Sequence, residues 1–219
     1  MALSKLKYNS FNVTPAAGKA VGFDSGADDL SASISGGAMV FIKKLTSDGS
    51  DDDLSFVDGT SSVVLDSTYK EYIFFFNNIH PQTDQTNLVF QANAAGGSSY
   101  DETMTTSTFQ AQHSEGGSSE LSYESGMDQG QGTAFQRIAH EIGNGNDECS
   151  SGYLHLFNPS STTFVTHFIA ESHSYRYNDY SHRLFTAGYF NTTSAIDEIQ
   201  FKMSSGEIQG GTISLYGIS

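Results

Sequence analysis

Tryptophan is absent from this chain, cysteine occurs once, proline three times, and only 10 of its 219 residues are Lys or Arg. Each scarcity excludes something. A lone cysteine, Cys149, leaves no intrachain disulfide framework and no cysteine zinc site, and it points to a reducing compartment. Ten basic residues against 25 acidic ones give a net charge of −15. A basic stripe to neutralise phosphates is therefore missing, which argues against nucleic acid as a partner. The same acidity disfavours anionic membranes. No apolar run nears the ~20 residues of a membrane-spanning helix. The start, MALSKLKY, lacks the apolar core of a signal peptide. No helical pattern extends beyond two turns.

What is present is glycine and aromatic: 22 Gly, 16 Phe and 11 Tyr, with charged residues at 16%. Disordered chains are richer in charge and poorer in rings, so the composition predicts a folded domain. The run at 69–79 is apolar on both faces, with Tyr72, Phe74 and Phe76 alternating against Ile73 and Phe75. That pattern predicts a central strand covered above and below, stopped by His80-Pro81. A second such run lies at 87–92. Further strands are expected at 38–45, 54–57, 61–65, 103–110, 135–142, 152–157, 163–171, 183–190, 195–203 and 212–217. Short strands between glycine or polar turns predict an all-β sandwich or barrel. The segment 134–142 has helical propensity, but Gly143 and Gly145 close it early and favour a strand.

Residues 1–37 carry a weak strand signal and are read as an extended N-terminal arm, with 38–219 as the β-domain. Leu3, Leu6, Tyr8, Phe11 and Val13 are its candidate attachment residues. Two soft stretches, 47–53 and 113–132, are read as loops.

Candidate chemistry is thin. His140-Glu141 copies half of a zinc-protease motif, but the second histidine is replaced by Asn144. The acidic turn at 48–53 lacks calcium-loop spacing and reads as a solvated turn. Cys149 sits among acids that would raise its thiol pKa. No Gly-x-Ser-x-Gly elbow occurs. No enzymatic activity, metal or cofactor is predicted. The most unusual segment is HSYRYNDYSHR at 173–183. His173, Tyr175, Arg176, Tyr177, Tyr180, His182 and Arg183 form either a recognition surface, for a protein or a glycan, or a strand-loop-strand edge whose tyrosines cap the core.

Three segments, EYIFFFNNIHPQTD at 71–84, SGYLHLFNPSS at 151–161 and AIDEIQFKMSSGEIQGGTISLYGI at 195–218, together resemble virion structural proteins of tailed bacteriophages, especially marine and cyanobacterial phages. The resemblance spans roughly residues 38–218. It implies a jelly-roll-like antiparallel β-sandwich, often trimeric, without catalytic residues. The implied role is a tail-fibre or spike-type appendage docked through residues 1–37, with capsid decoration or lectin-like host recognition as alternatives. The implied partners are further copies of the chain, other virion proteins and host surface glycan, and the implied location is the particle exterior. In the C-terminal run, Ile213 and Leu215 are expected to face one side and Ser214 and Tyr216 the other, with Gly206, Gly210 and Gly211 shaping the preceding hairpin.

Overall fold

The computed structural model describes residues 38–218 and two strands nearer the N-terminus, β1 (Ala20–Phe23) and β2 (Leu30–Ile34). The chain divides into two units, Met1–Val40 and Phe41–Ser219. In the first, β1 and β2 pair antiparallel, with Phe23 opposite Leu30. Residues 1–37, read above as an extended arm, include this strand pair. Leu3, Leu6, Tyr8, Phe11 and Val13 lie outside the described residues.

The following strands are β3 (Met39–Thr46), β4 (Asp53–Val57), β5 (Glu71–Pro81), β6 (Thr86–Ala94), β7 (Met104–Ser114), β8 (Ser119–Tyr123) and β9 (Gly130–Gly132). Then come β10 (Gln136–Ile142), β11 (Ser150–Phe157), β12 (His167–Arg176), β13 (Tyr180–Phe190), β14 (Ile196–Met203) and β15 (Ile208–Ile218). No helix occurs among the described residues. The larger sheet runs β3-β15-β5-β11-β12-β13-β7, with β8 and β9 both against β7. The smaller runs β10-β6-β14-β4. A single pairing, Ile142 with Arg176, joins β10 to β12 and ties the sheets at one corner. Successive strands β4, β5, β6 and β7 alternate between sheets, as do β13, β14 and β15. The result is an all-β, jelly-roll-like sandwich.

Aromatic rings fill one half of the interior. Phe74 lies 5.1 Å from Phe56 and 5.4 Å from Phe201, and Phe90 lies 5.0 Å from Phe168. Tilted and edge-on pairs of this kind contribute about 0.5–1.5 kcal/mol each beyond burial. Gly152 is required where β11 meets β12: a Cβ there would come 2.1 Å from the Glu171 carbonyl oxygen.

Several expectations need correction. Residues 61–65 form no strand: Ser61 and Ser62 take positive φ, and Asp58 accepts a hydrogen bond from the Leu65 amide at 2.8 Å. Val63 and Leu65 enter the core from this loop. The stretch 113–132 contains β8 and β9. Gly210 and Gly211 lie inside β15, where Gly211 (φ +109°) faces the irregularity at Asn78 in β5; the hairpin turn itself uses Gly206. Among the described residues, β5 is covered on one side only. Tyr72, Phe74 and Phe76 are fully buried, whereas Ile73 and Phe75 face outward and are partly buried.

Candidate functional site

Strand register carries the outward side chains of the larger sheet into rows. One row is Phe75–Tyr153–Glu171–Phe185–Phe109–Tyr123, each residue directly opposite the next on the neighbouring strand. The row beside it is Tyr216–Ile73–His155–Ile169–Ala187–Ser107. A third brings Phe157, His167 and Tyr189 side by side. The rings touch across strands: Phe75 sits 5.8 Å from Tyr216 and 6.4 Å from Tyr153, and Phe109 stacks on Phe185 at 4.6 Å. The Arg183 guanidinium caps that stack, 4.8 Å from the Phe185 ring. Among outward hydrophobics, Phe41, Phe109, Tyr123 and Ile169 are 56, 44, 59 and 46% exposed.

Between the second and third rows the small side chains of Ala187 and Ser107 leave a shallow trough. Phe157, His167 and Tyr189 wall one part, of ≈ 470 Å³, and Phe109 and Phe185 wall a continuation of ≈ 140 Å³. Carboxylates are rare on this face, and those present are engaged. Glu71 meets the His155 Nε2 at 2.8 Å. Glu171 accepts from Arg183 Nε at 2.6 Å and from the Tyr153 hydroxyl at 3.2 Å.

The β12–β13 hairpin holds the residues picked out at 173–183, and strand alternation splits them. His173, Tyr175 and Arg183 face outward, and His173 Nε2 meets the Ser181 hydroxyl at 2.9 Å. With His113, Glu115, Asp179 and Ser181, His173 and Tyr175 line a depression of ≈ 340 Å³. The Tyr175 hydroxyl lies 3.3 Å from Asp179 and 3.5 Å from Glu115, whose charges raise its pKa. Tyr177 is 37% exposed at the hairpin tip, and Arg176 lies 5.6 Å from the half-exposed Tyr180 ring. Arg176 itself turns inward to pair with Glu141 and Gln112. His182 is fully buried. Neither inward residue belongs to an exposed surface, because each shares the phase of the core-facing positions Ser174 and Leu184.

Composition gave no sign of what those inward residues join. The second half of the sandwich interior is polar, with Thr106, Thr108, Gln110, Gln136, Ser172, Ser174 and Thr186 all buried beside His140 and His182. The two imidazoles lie 5.4 Å apart. His140 Nδ1 lies 3.2 Å from Arg137 Nη1, which can only donate, and 3.0 Å from the Asn87 amide oxygen, which can only accept. His182 Nε2 donates to Gln110 Oε1 at 2.6 Å, and Gln110 in turn donates to Glu124 at 2.7 Å. The remaining Nδ1 of His182 and Nε of Arg176 are buried without a partner among the described residues. Burial, followed by the charge of Arg137, pushes His140 down to about 3; burial and then Arg176 push His182 down to about 4. Both are therefore neutral at pH 7. Their only signal in the sequence was polar residues at strand positions that should have been apolar.

The remaining motifs have structural roles. At 48–53, Asp48 accepts from the Ser50 amide and hydroxyl at 3.0 and 2.8 Å, which holds its carboxyl below the usual range. Burial first, and then Asp147, push the Cys149 thiol up. His140-Glu141 lies on β10, with Glu141 bound to Arg176. Among the described residues no three His, Cys, Asp or Glu side chains converge as a metal ion would require.

Comparison with protein families, curated proteins and solved structures gives no match to this chain.

Proposed function

We propose that this chain is a non-enzymatic structural protein of a tailed-phage virion, displayed on the particle exterior as a homo-oligomeric appendage. The observation that carries this reading is where the three phage-like segments fall. They supply β5, β11 and β15, which lie side by side in the larger sheet and build both its buried aromatic face and much of its open one, together with β14 of the smaller sheet, whose Phe201 packs on Phe74. A resemblance scattered over separate loops would carry less weight than one that defines a contiguous piece of the fold. The open aromatic face supports a role in contact. The net charge of −15 suits dense display, because it keeps crowded copies soluble.

Mass spectrometry of banded particles, combined with density at residue resolution, tests the reading. The chain is expected in stoichiometric amounts on the outside of the particle; its absence from purified particles overturns the proposal. Copy number then separates the two placements. Tens of copies fit a tail appendage, and hundreds fit a decoration of the head.

One observation favours a second reading, lectin-like host recognition. The depression at Tyr175 combines a ring with imidazoles, carboxylates and a serine hydroxyl, the mixture that grips a sugar's apolar face and its hydroxyls. Saturable binding on a glycan array, lost in Tyr175→Ala, is the outcome that reading requires.

A further inference from the structure

The outward face of the larger sheet poses a physical problem. A strand apolar on both sides belongs between two covering layers, yet β5 has one: Phe74 and Phe76 meet the smaller sheet, whereas Phe75 meets only Tyr153 and Tyr216 of its own sheet, and among the described residues no second layer covers it or Ile73. The same holds for Ile169, Phe185 and Phe109 across the neighbouring strands. Contiguous open apolar surface of this extent marks a contact site.

We propose that the covering layer is the same face of a second copy of this chain. Charge is the first argument. Two copies, each at −15, repel wherever unpaired carboxylates meet. Among the described residues, the acids of the central part of this face are Glu71 and Glu171, each bound to a neighbouring His or Arg. Many exposed acids sit instead in turns, as at Asp48, Asp52, Asp58 and Asp66, and Glu120 lies at the β8 edge. Here two acidic proteins meet with less repulsion than at those turns.

Shape is the second argument. A contact of a patch with its own copy needs a hole and a knob on one surface. The trough floored by Ala187 and Ser107 is the hole, and the flanking rings of Phe109, Phe185 and Tyr189 are the knobs. Sheets pack face to face about 10 Å apart, close enough for side chains to interdigitate. Size is the third. Six strands about 4.8 Å apart, each contributing some seven residues at about 3.3 Å, give roughly 550–670 Å² per copy. That approaches the ~800 Å² per partner of a stable interface. A glycan is the weaker occupant of this trough, because its lining offers few donors and acceptors.

The inference deepens the oligomeric part of the proposed function and rests on it. The two fail separately, since self-association is read on purified protein and virion residence on particles. Sedimentation of the full chain from micromolar to near-millimolar concentration, paired with histidine acylation by diethyl pyrocarbonate, tests it. The expected result is a concentration-dependent oligomer in which His155 and His167 are acylated about tenfold more slowly than in dilute protein. Ile169→Asp, placed on the exposed centre of the face, is expected to yield a monomer with an unchanged far-ultraviolet spectrum. A chain monomeric throughout, whether or not it binds a glycan, overturns the proposal. So does an oligomer in which both histidines stay fully reactive. The wild-type labelling decides the matter even if Ile169→Asp fails to fold.

Discussion

Phe74 and Phe75 follow one another in β5 and face opposite sides of the same sheet. Phe74 is fully buried against Phe56 and Phe201, whereas Phe75 looks outward to Tyr153 and Tyr216. Every strand alternates in this way, but here both members of the pair are large rings. One serves the sandwich core and the other the open face.

Truncating each ring separates the two roles. Phe74→Ala removes a core ring and is expected to cost about 3–5 kcal/mol. Phe75→Ala loses only partial burial and is expected to cost about 1 kcal/mol in dilute protein. Denaturant unfolding of both variants at low concentration checks the contrast; equal losses would place Phe75 in the core after all.

The buried imidazoles predict acid sensitivity. In the unfolded chain His140 and His182 take up protons near pH 6.5, while in the fold they resist until about 3 and about 4. Between those limits the unfolded state binds more protons, so stability is full above pH 6.5 and falls as pH drops. Each imidazole removes up to roughly 1.4 kcal/mol per pH unit. Melting temperature measured from pH 7.5 to 4.5 should decline across this window. His182→Gln, which lacks one of the two titrations, should decline less steeply. A flat wild-type profile sinks the argument.

Much of this fold was legible because strands announce themselves by alternation. EYIFFFNNI could only be a strand, and the glycine and polar turns between such runs implied a sandwich. The polar edge was not legible. β8, with Glu120 and Ser122 between Ser119, Leu121 and Tyr123, looks like loop because so short a strand offers only two apolar positions. Nor was the open face, whose rows join residues as far apart in sequence as Phe75 and Tyr123 through register alone. Its one trace was the two-sided greasiness of β5, which implied a cover without saying what supplies it. At 173–183 the residue types were noticed but their phase was not. Period-two alternation sends Arg176 and His182 inward while leaving His173 and Arg183 outside.

Close strand approach makes Gly152 irreplaceable. A Cβ there would stand 2.1 Å from the Glu171 carbonyl and 2.8 Å from Ser172 Cα, both backbone atoms of β12 that cannot rotate away. Gly152→Ala is expected to cost at least about 2 kcal/mol, or a melting temperature lower by roughly 4–8 °C. Gly210→Ala meets nothing nearer than His80 Cβ at 3.9 Å and should be almost neutral. Thermal unfolding of the pair tests this, and similar effects at both positions would refute the steric account.

The C-terminal strand is interior rather than an appendage. β15 lies between β3 and β5, and nine of its residues pair with β5 from Ile208 to Ile218. Ile213 and Leu215 are fully buried in the core. Removing residues 212–219 would strip β5 of its partner, open the Phe74 and Phe76 layer to water and leave two exposed apolar edges. Such edges template aggregation. The truncated chain is therefore expected in the insoluble fraction, whereas conversion of Ser214 to Thr, on the outward side, should leave solubility unchanged. Expression and fractionation of the two proteins provide the measurement, and a soluble truncation with a cooperative melt would falsify the assignment of β15 as a structural strand of the sandwich.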